Sequence, residues 1–249
     1  HGEIISLIKT EFALSRSLPG PDAKGDEADP AVVATLDFVR DRLCEGKTKD
    51  ARELLSKLGD PSKFKDQFSK FRWHTNLASI ELEEGNTAEA AEGYLRAFEL
   101  AKDNEKALSN RVHALLLKRD YPAALEACNA GLEMFPDSHY LWSLWLHAQH
   151  ALGNENPESD VPDGVRESPD LLFFFFRLAG KRGDFASALE LLRVCLGTDG
   201  GSFEAKRAFL VEALSWATQE SVHAEHSHFS SEQRSGLNEA IDRLEPLEQ

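Results

Sequence analysis

Across the middle of the chain the apolar positions recur at helical spacing, and then the whole block recurs. Residues 71–104 and 105–138 are each 34 residues long and align on one another without a gap. In each, an apolar stripe at helical spacing runs into a short turn, and an alanine-rich second stripe follows. The turn is Gly85, Asn86, Thr87 in the first block and Arg119, Asp120, Tyr121 in the second. Ala90 then matches Ala124, Tyr94 matches Cys128, and Ala97 matches Gly131. A fixed period of paired helices predicts a solenoid, in which each unit buries its apolar face only against its neighbours.

The same alternation extends outward less regularly. Ile4, Ile5, Leu7, Ile8 and Phe12 predict a helix over 3–17, stopped at Pro19, Gly20 and Pro21 and followed by an acidic loop to Pro30. Val32, Val33, Leu36, Phe38, Val39 and Leu43 predict a helix that turns at Gly46, and Ala51, Leu54, Leu55 and Leu58 predict its answering partner. A longer helix is expected from about Ser62 to Glu84. Beyond the two clear blocks, a third unit opens at His139 with Trp142, Trp145 and Leu146, and reaches its turn at Gly153 without a recognisable second helix. Pro157, Pro162 and Gly164, among mostly acidic residues, predict a solvent-exposed loop over 153–168. The period restarts at 169–182, turns at Gly183, and continues through Ala188, Leu189, Leu192 and Cys195. Two last helices are expected over 203–220 and 230–247, the final one polar outside as a cap requires. The chain thus divides into an N-terminal helix and loop (1–30), repeat units (31–152), an acidic loop (153–168), and a further unit with capping helices (169–249).

Leu77, Ala78 and Leu82 before Gly85 and Asn86, then Ala90, Tyr94 and Ala97, carry a large–small packing scheme. Val112 and Leu115 before Asp120 and Tyr121, then Ala124, Gly131 and Pro136, repeat it. Phe175, Phe176 and Ala179 before Gly183, Asp184 and Phe185, then Ala188, repeat it again, and Trp142 stands where a tryptophan is common. In these residues the chain resembles the tetratricopeptide-repeat family, most strongly over 71–138. The resemblance implies an all-α, right-handed α-solenoid of antiparallel helix pairs, interrupted by the loop near 153–168. Small residues in the scheme allow close helix approach.

The resemblance also implies where partners lie: along the first helix of each pair, as extended peptides or helices. In that register the lining is Arg40, then Arg72, Asn76 and Ser79, then Lys106, Asn110 and His113, then Tyr140, Ser143, His147 and His150, with Phe173 and Arg177 beyond the loop. Such a mildly basic, amide-bearing face would favour an acidic peptide or carboxylate. Some chaperone-binding relatives clamp a terminal carboxylate with lysine, asparagine and arginine. Asn76, Lys106 and Asn110 resemble parts of that set, but Leu36 and Arg40 stand where lysine and asparagine belong, which argues against the clamp. Four consecutive phenylalanines, Phe173, Phe174, Phe175 and Phe176, point all round a helix, so Phe173 and Phe174 are candidates for hydrophobic docking or homodimer formation.

Composition narrows the classes further. The 249 residues carry a formal charge of −15, which opposes general nucleic-acid binding. The longest apolar run, 171–176, is far too short for a membrane span. Cys44, Cys128 and Cys195 are scattered through helical patterns and read as buried reduced thiols, which fits a reducing cytosol or nucleus, with a cytoplasmic setting expected. His223, His226 and His228 lack the spacing of a zinc-protease motif and read as a polar linker. No phosphate loop and no nucleophile–base pairing is recognisable, so neither catalysis nor a cofactor or metal is expected. The start at His1, without a methionine, reads as a processed or excised fragment. The expectation is therefore a protein–protein interaction scaffold. The alternatives are an oligomerisation module held by the phenylalanine-rich helix, and a regulatory or sensor domain of a larger enzyme.

Overall fold

The structure is a computed structural model that describes residues 28–154 and 156–182, with scattered positions between 184 and 194. Every regular element among the described residues is helical. The helix pairs are α1 (Pro30–Cys44) with α2 (Thr48–Leu58), α3 (Gln67–Glu83) with α4 (Thr87–Leu100), and α5 (Glu105–Leu117) with α6 (Tyr121–Met134). They are followed by α7 (His139–Ala151), a short α8 (Asp163–Arg166) and α9 (Pro169–Lys181). The helices expected over 3–17, 203–220 and 230–247, and the histidines of the 223–228 segment, lie outside the described residues.

Short polar side chains start most of these helices where the sequence places them. Asp29 accepts from the Ala31 amide at 2.9 Å ahead of Pro30, Asn104 accepts from the amides of Lys106 and Ala107, and Ser138 accepts from Leu141 at 3.2 Å. The expected long helix from Ser62 is in fact two elements. Asp60 caps a 3-10 turn (Pro61–Lys63), the chain extends at Phe64, and Asp66 starts α3 by accepting from the Ser69 amide at 2.6 Å. Two aspartates six residues apart each satisfy their own helix start, which breaks the apolar pattern that joined them.

The chain forms two compact units, residues 1–161 and 162–249. In the first unit, helices adjacent in sequence pack together, and α1 also meets α3 as α5 meets α7. Small residues set the closest approach. A Cβ added at Gly93 of α4 would stand 2.9 Å from the Ala78 Cβ of α3. Ala78, Ala90, Ala91 and Tyr94 are buried with Ala114 of the next pair, so α4 is shared between two units. The α1–α2 pair centres on Leu36, Val39, Ala51 and Leu55, against Ile80 of α3.

The segment expected as an exposed loop, 153–168, is more ordered than its composition suggests. It holds a 3-10 turn (Pro157–Asp160) and α8, and buries Pro157, Val161 and Val165. These three stand four residues apart, an apolar signal diluted by the acidic residues around them. The 3-10 turn packs on α7. α7 is also pinned to α6 by Trp145, whose Nε1 donates to Asn129 Oδ1 at 2.9 Å.

Candidate functional site

The first helices α1, α3, α5 and α7 carry the residues expected to meet a partner, and the 34-residue period sorts them into rows. Arg72, Lys106 and Tyr140 form one row, Asn76 and Asn110 a second, and Ser79, His113 and His147 a third. A further row, Thr75, Ser109 and Ser143, is buried throughout.

The asparagine row is an internal strut. Asn76 donates from Nδ2 to the Leu36 carbonyl of α1 at 3.1 Å, and Asn110 donates to Thr75 Oγ1 of α3 at 2.9 Å. The Thr75 hydroxyl is free to accept because its own proton goes to the Phe71 carbonyl at 3.0 Å. Each asparagine thus ties its helix to the preceding first helix. Both amides are buried, where an unmet polar group is costly.

The third row runs into a second polar cluster. Ser79 donates to the Thr75 carbonyl at 3.0 Å, so the Tyr94 hydroxyl, 3.1 Å from Ser79 Oγ, is the donor between them. His113 sets its ring against Tyr94 at 5.6 Å between centroids and 66° between planes. Burial, then the neighbouring Lys106 charge, holds the His113 imidazole well below its ordinary range and keeps it neutral. Burial also pushes the Tyr94 phenol upward, so it stays a donor.

The expected lining therefore splits. Asn76, Ser79, Lys106, Asn110, His113, Tyr140 and Ser143 are buried in this structure. Arg40, Arg72 and His147 remain partly exposed in the first unit, and Arg177 in the second. The two arginines of the first unit share acidic company. Asp37 pairs with Arg72 and lies 3.4 Å from Arg40, which also approaches Asp41 at 3.5 Å. The Arg72 guanidinium stacks over the Phe68 ring at 5.3 Å. Asp37, Thr75 and Tyr94 were not anticipated in the site. The repeat period marks Thr75, but only the fold brings Asp37 to Arg72.

In the second unit, Phe173 and Phe174 are each 6% exposed and Phe176 is 1% exposed, which leaves little of the expected docking patch on the surface. Arg177 stands over the Phe173 ring at 5.8 Å. Among the described residues, no cluster of histidine, cysteine or acidic side chains could hold a metal, and no helix is long and apolar enough to cross a membrane.

No family model and no curated protein matches the sequence. Solved structures do. The Pseudomonas aeruginosa protein PilF matches at a TM-score of 0.50 and 17% identity, over 87% of this chain and 91% of that one. MamA of AMB-1 matches at 0.44 and 18% identity, over 67% of this chain and 97% of that one, a looser likeness. PilF is a tetratricopeptide-repeat protein, and the described residues of the present chain have that all-helical solenoid fold.

Proposed function

We propose that this tetratricopeptide-type array is a protein-interaction scaffold that receives an acidic segment of a partner on its first-helix face. The observation that carries the reading is the strut of Asn76 and Asn110, which holds successive first helices in fixed register. A surface whose helices are already locked loses little freedom on binding, so most of the ordering cost falls on the partner. Arg40 and Arg72 are partly exposed cations of that face, and a partner carboxylate would compete with Asp37 for them. The thiols of Cys44 and Cys128 support a reducing, cytoplasmic setting.

The test is affinity capture from native lysate by the chain and by its Arg40→Ala/Arg72→Ala variant, followed by affinities measured with the purified partner. The variant is expected to bind about tenfold more weakly or worse while melting within a few degrees of the parent. A partner indifferent to both substitutions would overturn the assignment to this face. Lys106 is unsuited to the experiment because it is buried, and a charge reversal there would disturb the fold.

A further inference from the structure

The turns that close α1, α3, α5 and α7 are built alike. At Gly46, Gly85, Arg119 and Gly153 the backbone enters the left-handed region, with φ of 72°, 87°, 59° and 90°. Each of these residues donates its amide to the carbonyl three back. The following residue donates to the carbonyl five back, Lys47 to Arg42, Asn86 to Glu81, Asp120 to Leu115 and Asn154 to Gln149, between 2.8 and 3.1 Å. Glycine enters this region freely, whereas a side chain there crowds its own backbone. Three of the turns use glycine; the remaining one keeps arginine.

Among the described residues, nothing compensates for that choice. Arg119 and the preceding Lys118 are both exposed, and among the described residues neither side chain has a hydrogen-bond or ion-pair partner. The corresponding residues elsewhere behave differently. Glu45 pairs with Arg42 and Lys47 at 2.6 and 2.8 Å, and Glu84 pairs with Arg52 at 2.7 Å. One repeat after Lys118, the same position is Leu152, a large apolar side chain left 45% exposed. α5 packs against α7, and packed helices stand roughly 10 Å apart, about the span of three extended residues. Backbone strain kept without return among the described residues points to a use outside the molecule.

We propose that Lys118, Arg119 and Leu152 form a docking edge for an acidic partner segment that also bears aliphatic side chains. Its carboxylates would meet the two cations and one of its apolar residues would cover Leu152. This edge is made of turns and stands apart from the first-helix face that carries Arg40 and Arg72.

The test is a residue-resolved NMR titration of the isotope-labelled chain with a synthetic dodecapeptide alternating glutamate and leucine. A peptide with lysine in place of glutamate serves as control. The expected result is saturable amide shifts centred on Lys118, Arg119 and Leu152, weakened about tenfold by Lys118→Glu/Arg119→Gly and unaffected by Arg40→Ala/Arg72→Ala. Arg119→Gly alone is expected to raise Tm by about 2–4 °C while weakening the peptide, the mark of strain held for function. No saturable shift, shifts centred elsewhere, or equal binding of the lysine peptide would overturn the docking edge. A Tm lowered by Arg119→Gly would overturn it as well, by removing its premise. Loss of peptide shifts in the arginine double variant would instead place the binding on the first-helix face.

Discussion

Asn110 on α5 and Thr75 on α3 are joined by an amide-to-hydroxyl hydrogen bond of 2.9 Å in an environment closed to water. Among the described residues the Asn110 Oδ1 has no hydrogen-bond partner of its own, so the Thr75 contact is what its amide has in return for burial. One period later the equivalent residue is Leu144, fully buried, showing that an apolar side chain also fits that site. Thr75→Val is expected to lower stability by about 1–3 kcal/mol by stranding the amide. In an Asn110→Leu background the same change should cost under about 1 kcal/mol. Urea denaturation of the four proteins measures the coupling; purely additive losses would mean that the bond does not tie the helices.

Gly93 tests the close packing of α3 on α4. Alanine in place of glycine within a helix ordinarily gains about 1 kcal/mol. Here the new Cβ would meet the Ala78 Cβ at 2.9 Å and its Cα at 3.3 Å, both on a rigid helix. The clash should win, with a net loss of about 1–3 kcal/mol in thermal or chemical unfolding. A stabilised Gly93→Ala protein would show that the two helices can move apart without penalty.

His113 should make the fold sensitive to acid. Its pKa in the folded chain is lowered well below 6.5 by burial and by Lys106, and His74 is lowered in the same direction by burial and Arg96. The unfolded chain therefore binds more protons, so the full stability is present above about pH 6.5 and is lost as the pH falls below it. Tm is expected to drop between pH ~7.5 and pH ~5.5, and His113→Phe, which keeps a ring against Tyr94, should flatten much of that slope. An unchanged slope in the variant would assign the acid sensitivity to other groups.

Arg52 on α2 grips Glu84 with two hydrogen bonds of 2.7 Å and Glu81 with one of 2.8 Å, joining the first pair to the second. The side chains are partly exposed, so water and salt screen the network. Arg52→Ala should cost less than about 1 kcal/mol, and less still at high salt. A loss comparable to that of Thr75→Val would mean that the clamp is better shielded than its exposure indicates.

The helical class, the turns at Gly46, Gly85 and Gly153, and the identity of first and second helices were all legible in the chain. These depend on contacts within a few residues: apolar spacing, caps at Asp29, Asn104 and Ser138, and glycine at left-handed positions. The 34-residue period added the pairing order, because a helix hairpin with one apolar face can bury it only against the next. Which polar residues lie on the surface was decided by the tertiary structure. Asn76, Lys106, Asn110 and His113 sit in the register of a binding face, yet they are buried among neighbouring helices. The partners of Asn76, Arg72 and Asn110 lie 35 to 40 residues away, beyond the reach of local pattern. Periodicity tells which side of a helix a residue occupies. What stands opposite that side depends on how closely the small residues Ala78, Ala90 and Gly93 let the helices approach.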